Sequence, residues 1–243
     1  MREQTVESYD KTKIAFNHFT RDGRDAVVVL CHGFWMSKDA KPFLDLSKDF
    51  FKYYNVITMD QRGHGNSGGA FSFTSQEHAD IKAVIEYAKK IYARIYLIGF
   101  SLGAASSIIY VAQEKDVNGL MVVSPPMSFE EIENRFLDKG ALIPAIKKFG
   151  PHVFKLRLGP VNSEKIKPAD VIDQIAPIPL LIMYGEKDPI ISKKHAETLY
   201  ARAKNPKQII MIKNGLHAED LYRLNRNDFM RYSTSWVDEI QHG

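Results

Sequence analysis

Six short apolar runs separated by amphipathic stretches constrain the fold of this 243-residue chain more than any other feature. They occupy residues 26–31, 54–59, 94–99, 118–123, 178–184 and 207–212 and are rich in Val, Ile, Leu or Tyr. Successive positions are apolar, so both faces of each strand must be covered, as in a parallel sheet between two helical layers. Helical patterns fill the intervals at 76–90, 102–113, 192–203 and 219–240. In the first, Ala79, Ala83, Val84, Tyr87 and Ala88 form the expected apolar stripe, and Ser192 is the expected N-cap of the third. The first twenty residues alternate polar and apolar around Tyr9-Asp10-Lys11 and predict an antiparallel hairpin. The pattern predicts an α/β fold, a mostly parallel twisted sheet with helices on both faces.

One interval breaks the rhythm. Residues 125–176 hold no clear strand, open on Pro125-Pro126 and end before Pro177. They predict a helical lid inserted into a core made of residues 1–124 and 177–243. Ser128 and Glu131 have capping-box spacing ahead of Phe129, Ile132 and Phe136. Lys139, Lys147, Lys148, Lys155 and Arg157 form a basic face there, read either as solvated surface or as a surface for anionic or amphiphilic substrates or an anionic membrane.

Composition narrows the function classes. The 33 basic and 29 acidic residues are interspersed, without the basic stripe of a nucleic-acid-binding protein. The single cysteine, Cys31, excludes an intrachain disulfide and reads as a buried small hydrophobe. The N-terminus lacks the apolar segment of a signal peptide, and no run reaches the roughly 18 residues of a membrane span, so cytoplasmic residence is expected. No metal-ligand spacing occurs, so neither a metal nor another cofactor is expected.

The strongest chemical signal is Gly99-Phe100-Ser101-Leu102-Gly103, a G-x-S-x-G pattern with an apolar strand before it and helix formers after it. A tight strand-to-helix turn exposes the serine, the glycines relieve crowding, and the helix N-terminus favours negative charge. A serine needs a base to take its proton, and after such an elbow a carboxylate and then a histidine follow in the chain. His152, His195, His217 and His242 follow Ser101. Only His217 sits in a loop directly after a strand, where parallel sheets place catalytic groups. The loop after the preceding strand, Tyr184-Gly185-Glu186-Lys187-Asp188-Pro189, supplies the acid. Asp188 is favoured over Glu186 because the following proline fixes its direction.

The negative charge of an acyl-transfer intermediate needs N–H donors. Leu102 should supply one, and Phe34 in Leu30-Cys31-His32-Gly33-Phe34-Trp35 the other, with His32 structural. Phe34 and Trp35 are either pocket lining or core aromatics. Trp35, Phe129, Phe136 and Ile143 are the candidate substrate-pocket residues.

The segments LCHGF, MDQRGHGNSGG, GFSLGA, YGEKDPI and GLHAED, in this order and spacing, resemble the α/β-hydrolase superfamily. More narrowly they resemble its serine esterase, monoacylglycerol-lipase-like and serine-aminopeptidase-like group, over nearly the whole chain from about residue 26. The resemblance implies an α/β-hydrolase fold, a Ser101–Asp188–His217 triad, oxyanion donors at Phe34 and Leu102, and a lid over 125–176. It also implies that Asp60 and Arg62 brace turns and that His64 is not catalytic. The expected activity is hydrolysis of carboxylic esters, acyl or aryl esters or monoacylglycerol-like lipids, through an acyl-enzyme on Ser101. Thioester or aminopeptide hydrolysis by the same groups, and a non-enzymatic binding protein on the same fold, are the alternatives.

Overall fold

The computed structural model describes residues 1–132, 155–159 and 164–242. Eight strands form one sheet: β1 (Arg2–Glu7), β2 (Lys13–Phe19), β3 (Ala26–Cys31), β4 (Asn55–Met59), β5 (Arg94–Phe100), β6 (Gly119–Val123), β7 (Leu180–Gly185) and β8 (Lys207–Ile212). Their order is β1-β2-β4-β3-β5-β6-β7-β8. The hairpin β1–β2 is antiparallel and joins β4 antiparallel, and every pair from β4 to β8 is parallel. All six apolar runs become strands within two residues of the expected bounds.

Alternation along the central strands sorts side chains onto two faces. Val27, Val29 and Cys31 of β3 and Leu120 and Val122 of β6 pack under α2 (Glu77–Lys89) and α3 (Leu102–Glu114). The short α4 (Pro168–Val171) and α5 (Lys193–Arg202) cover the same side. Val28, Leu30, Ile98, Met121 and Val123 face the other layer, made by α1 (Lys41–Phe50), α6 (Glu219–Leu224) and α7 (Arg226–His242). Each fully buried Val, Leu or Ile of this kind contributes about 1.5–3 kcal/mol, which makes the sheet a rigid base for the loops at its carboxyl edge.

Two local expectations need correction. The buried stripe of α2 runs through Glu77, Asp80, Ile81, Val84, Ile85 and Ala88, so the helix is rotated from the expected face. The cause is Arg62, which donates to both Asp80 oxygens and draws that carboxylate inward. The expected closing helix is two, because Asn225 leaves helical backbone between α6 and α7. Ser192 stands at the N-cap of α5 with extended backbone, yet its side chain makes no capping bond. Helix α1, opened by Pro42 and burying Phe43, Leu46 and Phe50, was not expected from the sequence.

Half of the interval expected to form a lid lies outside the described residues, including Lys139, Lys147 and Lys148. Within it, Lys155 and Arg157 are engaged by the loop after β4. Lys155 Nζ donates to Asn66 Oδ1 at 3.2 Å, and Arg157 donates to the carbonyls of Gly69 and Ser67. Backbone bonds from Arg157 to Gly63 and from Phe71 to Arg157 complete the attachment. Arg157 therefore ties two segments together and does not belong to a free basic face. No helix among the described residues is long and apolar enough to cross a membrane.

Candidate active site

Ser101 stands between the last residue of β5 and the first of α3, at the N-cap, with φ 52° and ψ −120°, a conformation that costs an L-residue energy and turns the side chain out of the sheet edge. Its N–H donates to Val123 O at 2.9 Å, and its carbonyl accepts the N–H groups of Ala104 and Ala105. The turn is locked by close packing: a Cβ at Gly103 would run into the carbonyl oxygens of Cys31 and His32. On the other side, a Cβ at Gly33 would stand 3.0 Å from Ser101 Cβ, so the loop after β3 passes directly beside the serine.

His217 lies in the loop between β8 and α6. Its Nε2 is 3.0 Å from Ser101 Oγ, and its Nδ1 is 2.8 Å and 3.0 Å from the two oxygens of Asp188. A carboxylate can only accept, so Nδ1 carries the hydrogen and Nε2 presents a lone pair to the serine hydroxyl. Asp188 Oδ1 also accepts the N–H groups of Ile190 and Ile191, each at 2.9 Å. The Asp188 side chain is 1% exposed and that of His217 11%. Burial works against the charge on Asp188. The His217 ring and the two N–H donors outweigh it and hold the carboxyl below the usual carboxylate range, so it is ionised at neutral pH.

Glu186, the competing acid, points elsewhere: its Oε2 accepts the Asn214 N–H at 2.9 Å. Of the other candidate histidines, His195 is buried on α5 and accepts the Met127 N–H through Nδ1, His242 is exposed at the last turn of α7, and His152 lies outside the described residues.

The loop after β3 is pinned from below. His32 Nδ1 donates to Gly33 O at 2.7 Å, Gln61 N–H reaches His32 Nε2, and the Gln61 side chain donates to His32 O. Asp60 is fully buried and accepts the N–H groups of Lys38 and Asn66. Arg62 engages Asp80, Asp10 and Gln76. These groups are tied to fixed partners and serve the loops.

The helix start at Leu102 points its first N–H groups towards the serine end of the elbow, where they lack intrahelical partners. Phe34 follows Gly33 and stacks on Trp35 at 4.9 Å between centroids. Trp35 is buried, with φ 60°. Phe34 also meets Phe71 at 5.3 Å and Phe73 at 6.0 Å, and Phe73 meets Phe129 edge-on at 5.3 Å. Leu102, Ile132 and Leu156 join this cluster. Phe71 and Phe73 were not anticipated; their signal was the F-x-F spacing after Gly68-Gly69 in a stretch without strand or helix pattern. Of the expected pocket residues, Trp35 and Phe129 are in or beside this cluster, while Phe136 and Ile143 lie outside the described residues. Among the described residues no group of three or more His, Cys, Asp or Glu could hold a metal ion.

Comparison with known proteins agrees with this geometry. The family model described as serine aminopeptidase, S33, matches residues 22–173. The uncharacterized protein YqkD of Bacillus subtilis is 28% identical over 230 residues, covering 88% of this chain and 71% of that protein. The uncharacterized protein YfhR of Escherichia coli is 28% identical over 189 residues, covering 73% of this chain and only 60% of YfhR. The Pyrococcus furiosus esterase Pf2001 superposes with a TM-score of 0.80 at 21% identity, covering 98% of this chain and 90% of that structure. The esterase EaEST of Exiguobacterium antarcticum superposes with a TM-score of 0.75 at 18% identity, covering 98% and 100%. At these identities the structural likeness establishes the α/β-hydrolase fold.

Proposed function

Given that the chain belongs to the serine aminopeptidase family of α/β hydrolases, we propose that it hydrolyses carboxylic esters through an acyl-enzyme on Ser101. The observation that carries this reading is the single-file chain from Asp188 through His217 to Ser101, with both hydrogen bonds near 3 Å. Ser101 Oγ attacks the ester carbonyl while His217 Nε2 takes its proton, and Asp188 stabilises the resulting imidazolium. The carbonyl oxygen becomes an oxyanion held by the N–H groups of Leu102 and Phe34. A donor of this kind is worth about 2.7–4 kcal/mol of barrier. Collapse expels the alcohol, which takes the proton from His217. Water, deprotonated by His217, then attacks the acyl-enzyme and releases the acid.

The aromatic cluster beside Leu102 favours an apolar acyl group. Peptide hydrolysis at a free amino terminus is the second reading, favoured by the family description. It needs an unengaged carboxylate for the substrate amine. Of the acidic cluster Glu130-Glu131-Glu133, Glu130 and Glu131 lie 3.1 Å from Lys167 and 3.6 Å from Lys194, which supports the ester reading, and Glu133 lies outside the described residues.

A fluorophosphonate probe and a panel of aryl esters, acyl thioesters and aminoacyl anilides test the proposal. Labelling of the wild type, none of Ser101→Ala, and faster turnover of esters than of anilides are expected. Absence of wild-type labelling would leave a binding protein on this fold, and preference for the anilide would move the assignment to an aminopeptidase.

A further inference from the structure

Two consecutive residues at the end of β6 each hold one partner of the proton-transfer pair. Val123 O accepts the Ser101 N–H at 2.9 Å. The next residue, Ser124, accepts the Ala218 N–H through its hydroxyl at 3.0 Å, and Ala218 directly follows His217. The Ser124 N–H is itself tied to Met183 O on β7 at 2.8 Å. Ser124 and Ala218 are both 0% exposed, so water cannot replace this bond. Ser101, Ser124 and Ala218 share a positive φ of 52°, 48° and 48°. Each is an L-residue held where only surrounding contacts keep it.

Elsewhere the His217 loop is held to α6 by Asp220 N–H to His217 O and Leu221 N–H to Ala218 O, and to the loop after β7 by Lys187 N–H to Gly215 O, Asn214 N–H to Glu186 Oε2 and the bond from His217 Nδ1 to Asp188. These bonds tie it to α6 and to the β7 side of the sheet, not to β6. The Ser124 hydroxyl is the bond that references the histidine to the strand beside the nucleophile. We propose that Ser124 is a positioning residue which sets the separation of His217 Nε2 from Ser101 Oγ. Without it the Ala218 N–H is buried and unpaired, and the loop relieves this by rotating away, taking the imidazole with it. A shift of about 1 Å at a proton-transfer pair costs on the order of 100-fold in rate.

The inference rests on the acyl-enzyme reading of Ser101, and its test has two arms. In the first, Ser124→Gly and Ser124→Ala both lose the acceptor, but glycine accepts a φ of 48° without strain. Both should lower kcat by roughly 10- to 100-fold with KM within about twofold, and Ser124→Cys, a weaker acceptor, should recover part of the loss. Ser233→Ala, which removes another buried serine hydroxyl on α7, should leave kcat unchanged. A kcat for Ser124→Gly within twofold of the wild type would overturn the assignment. So would a loss in Ser124→Ala restored by glycine, since that pattern reports backbone strain alone. The second arm needs no turnover: the low-field proton resonance of His217 Nδ1–H should be sharp in the wild type and broadened or lost in Ser124→Gly. Failure of the wild type to react with ester or fluorophosphonate would defeat the acyl-enzyme reading. The resonance would then still decide the role of Ser124, and an unchanged signal would overturn it.

Discussion

Two histidines in this molecule are held in almost the same way, and only one of them faces the serine of the strand-to-helix elbow. His18, on β2, lies 3.1 Å from Tyr87 Oη through Nδ1 and 2.6 Å from Tyr92 Oη through Nε2. Tyr87 gives its own hydrogen to Gln4 Oε1, so it must accept from His18 Nδ1–H, and Tyr92 donates to Nε2. His217 has the same tautomer, with Nδ1–H donating and Nε2 accepting from a hydroxyl. What differs is the partner on Nδ1. A phenol offers His18 no charge, and burial pushes its pKa down to about 4, so it stays neutral near pH 7. An ionised Asp188 backs His217 and rewards the imidazolium when it forms. Two hydrogen bonds thus fix a ring; a charged carboxylate behind it is what the proposed reaction requires of His217 and what His18 lacks.

The comparison breaks most visibly at the serine and the base. Replacing Ser101 or His217 by alanine should lower kcat for an aryl ester by on the order of 10⁶ if the groups act as a unit, with little change in melting temperature. Steady-state kinetics together with thermal unfolding separates the two effects. Asp188→Asn keeps the shape but lets an amide hydrogen face Nδ1, reversing the tautomer; a loss of about 10⁴ in kcat is expected from the same assay. A loss below tenfold would show that the carboxylate is not what separates the two histidines.

On the other side of the comparison, His18→Gln should leave kcat within about twofold while changing acid stability. The unfolded chain protonates His18 near pH 6.5 and the folded chain near pH 4, so the unfolded state binds the extra proton between them. Stability should therefore fall as pH drops through that window, by up to about 3 kcal/mol, and level off below it. Urea unfolding from pH 7 to pH 4 should show this slope in the wild type and a flatter one in the variant. The smallest effect belongs to Tyr92→Phe, which removes one hydrogen bond to His18 and should cost about 1 kcal/mol at pH 7. A steeper wild-type loss with no change in the variants would place the acid sensitivity elsewhere.

Much of this was legible in the sequence because the deciding interactions are local. The strands appear as apolar runs, and the Ser101 elbow needs only the five residues around it with a strand before and a helix after. Asp188 and His217 were legible because a parallel sheet brings its strand ends to one edge, so position after a strand stands in for position in space. What was missed depends on partners far along the chain. Asp80 and Glu77 look like solvent-facing charges until Arg62 and Ser72 reach them from a preceding loop. Phe71 and Phe73 carry no period of their own and acquire their place through Phe34 and Phe129. Ser124 carries no pattern of its own in the sequence. Its hydroxyl matters because of Ala218, 94 residues later.

Cys31, the one thiol in the chain, is buried at the centre of the sheet, on the strand that leads to Gly33. Burial raises its pKa, so in the folded protein it is neither thiolate nor accessible. Alkylating reagents should leave the native enzyme active, and the thiol becomes a clock. The rate at which it is trapped measures how often β3 parts from β4 and β5.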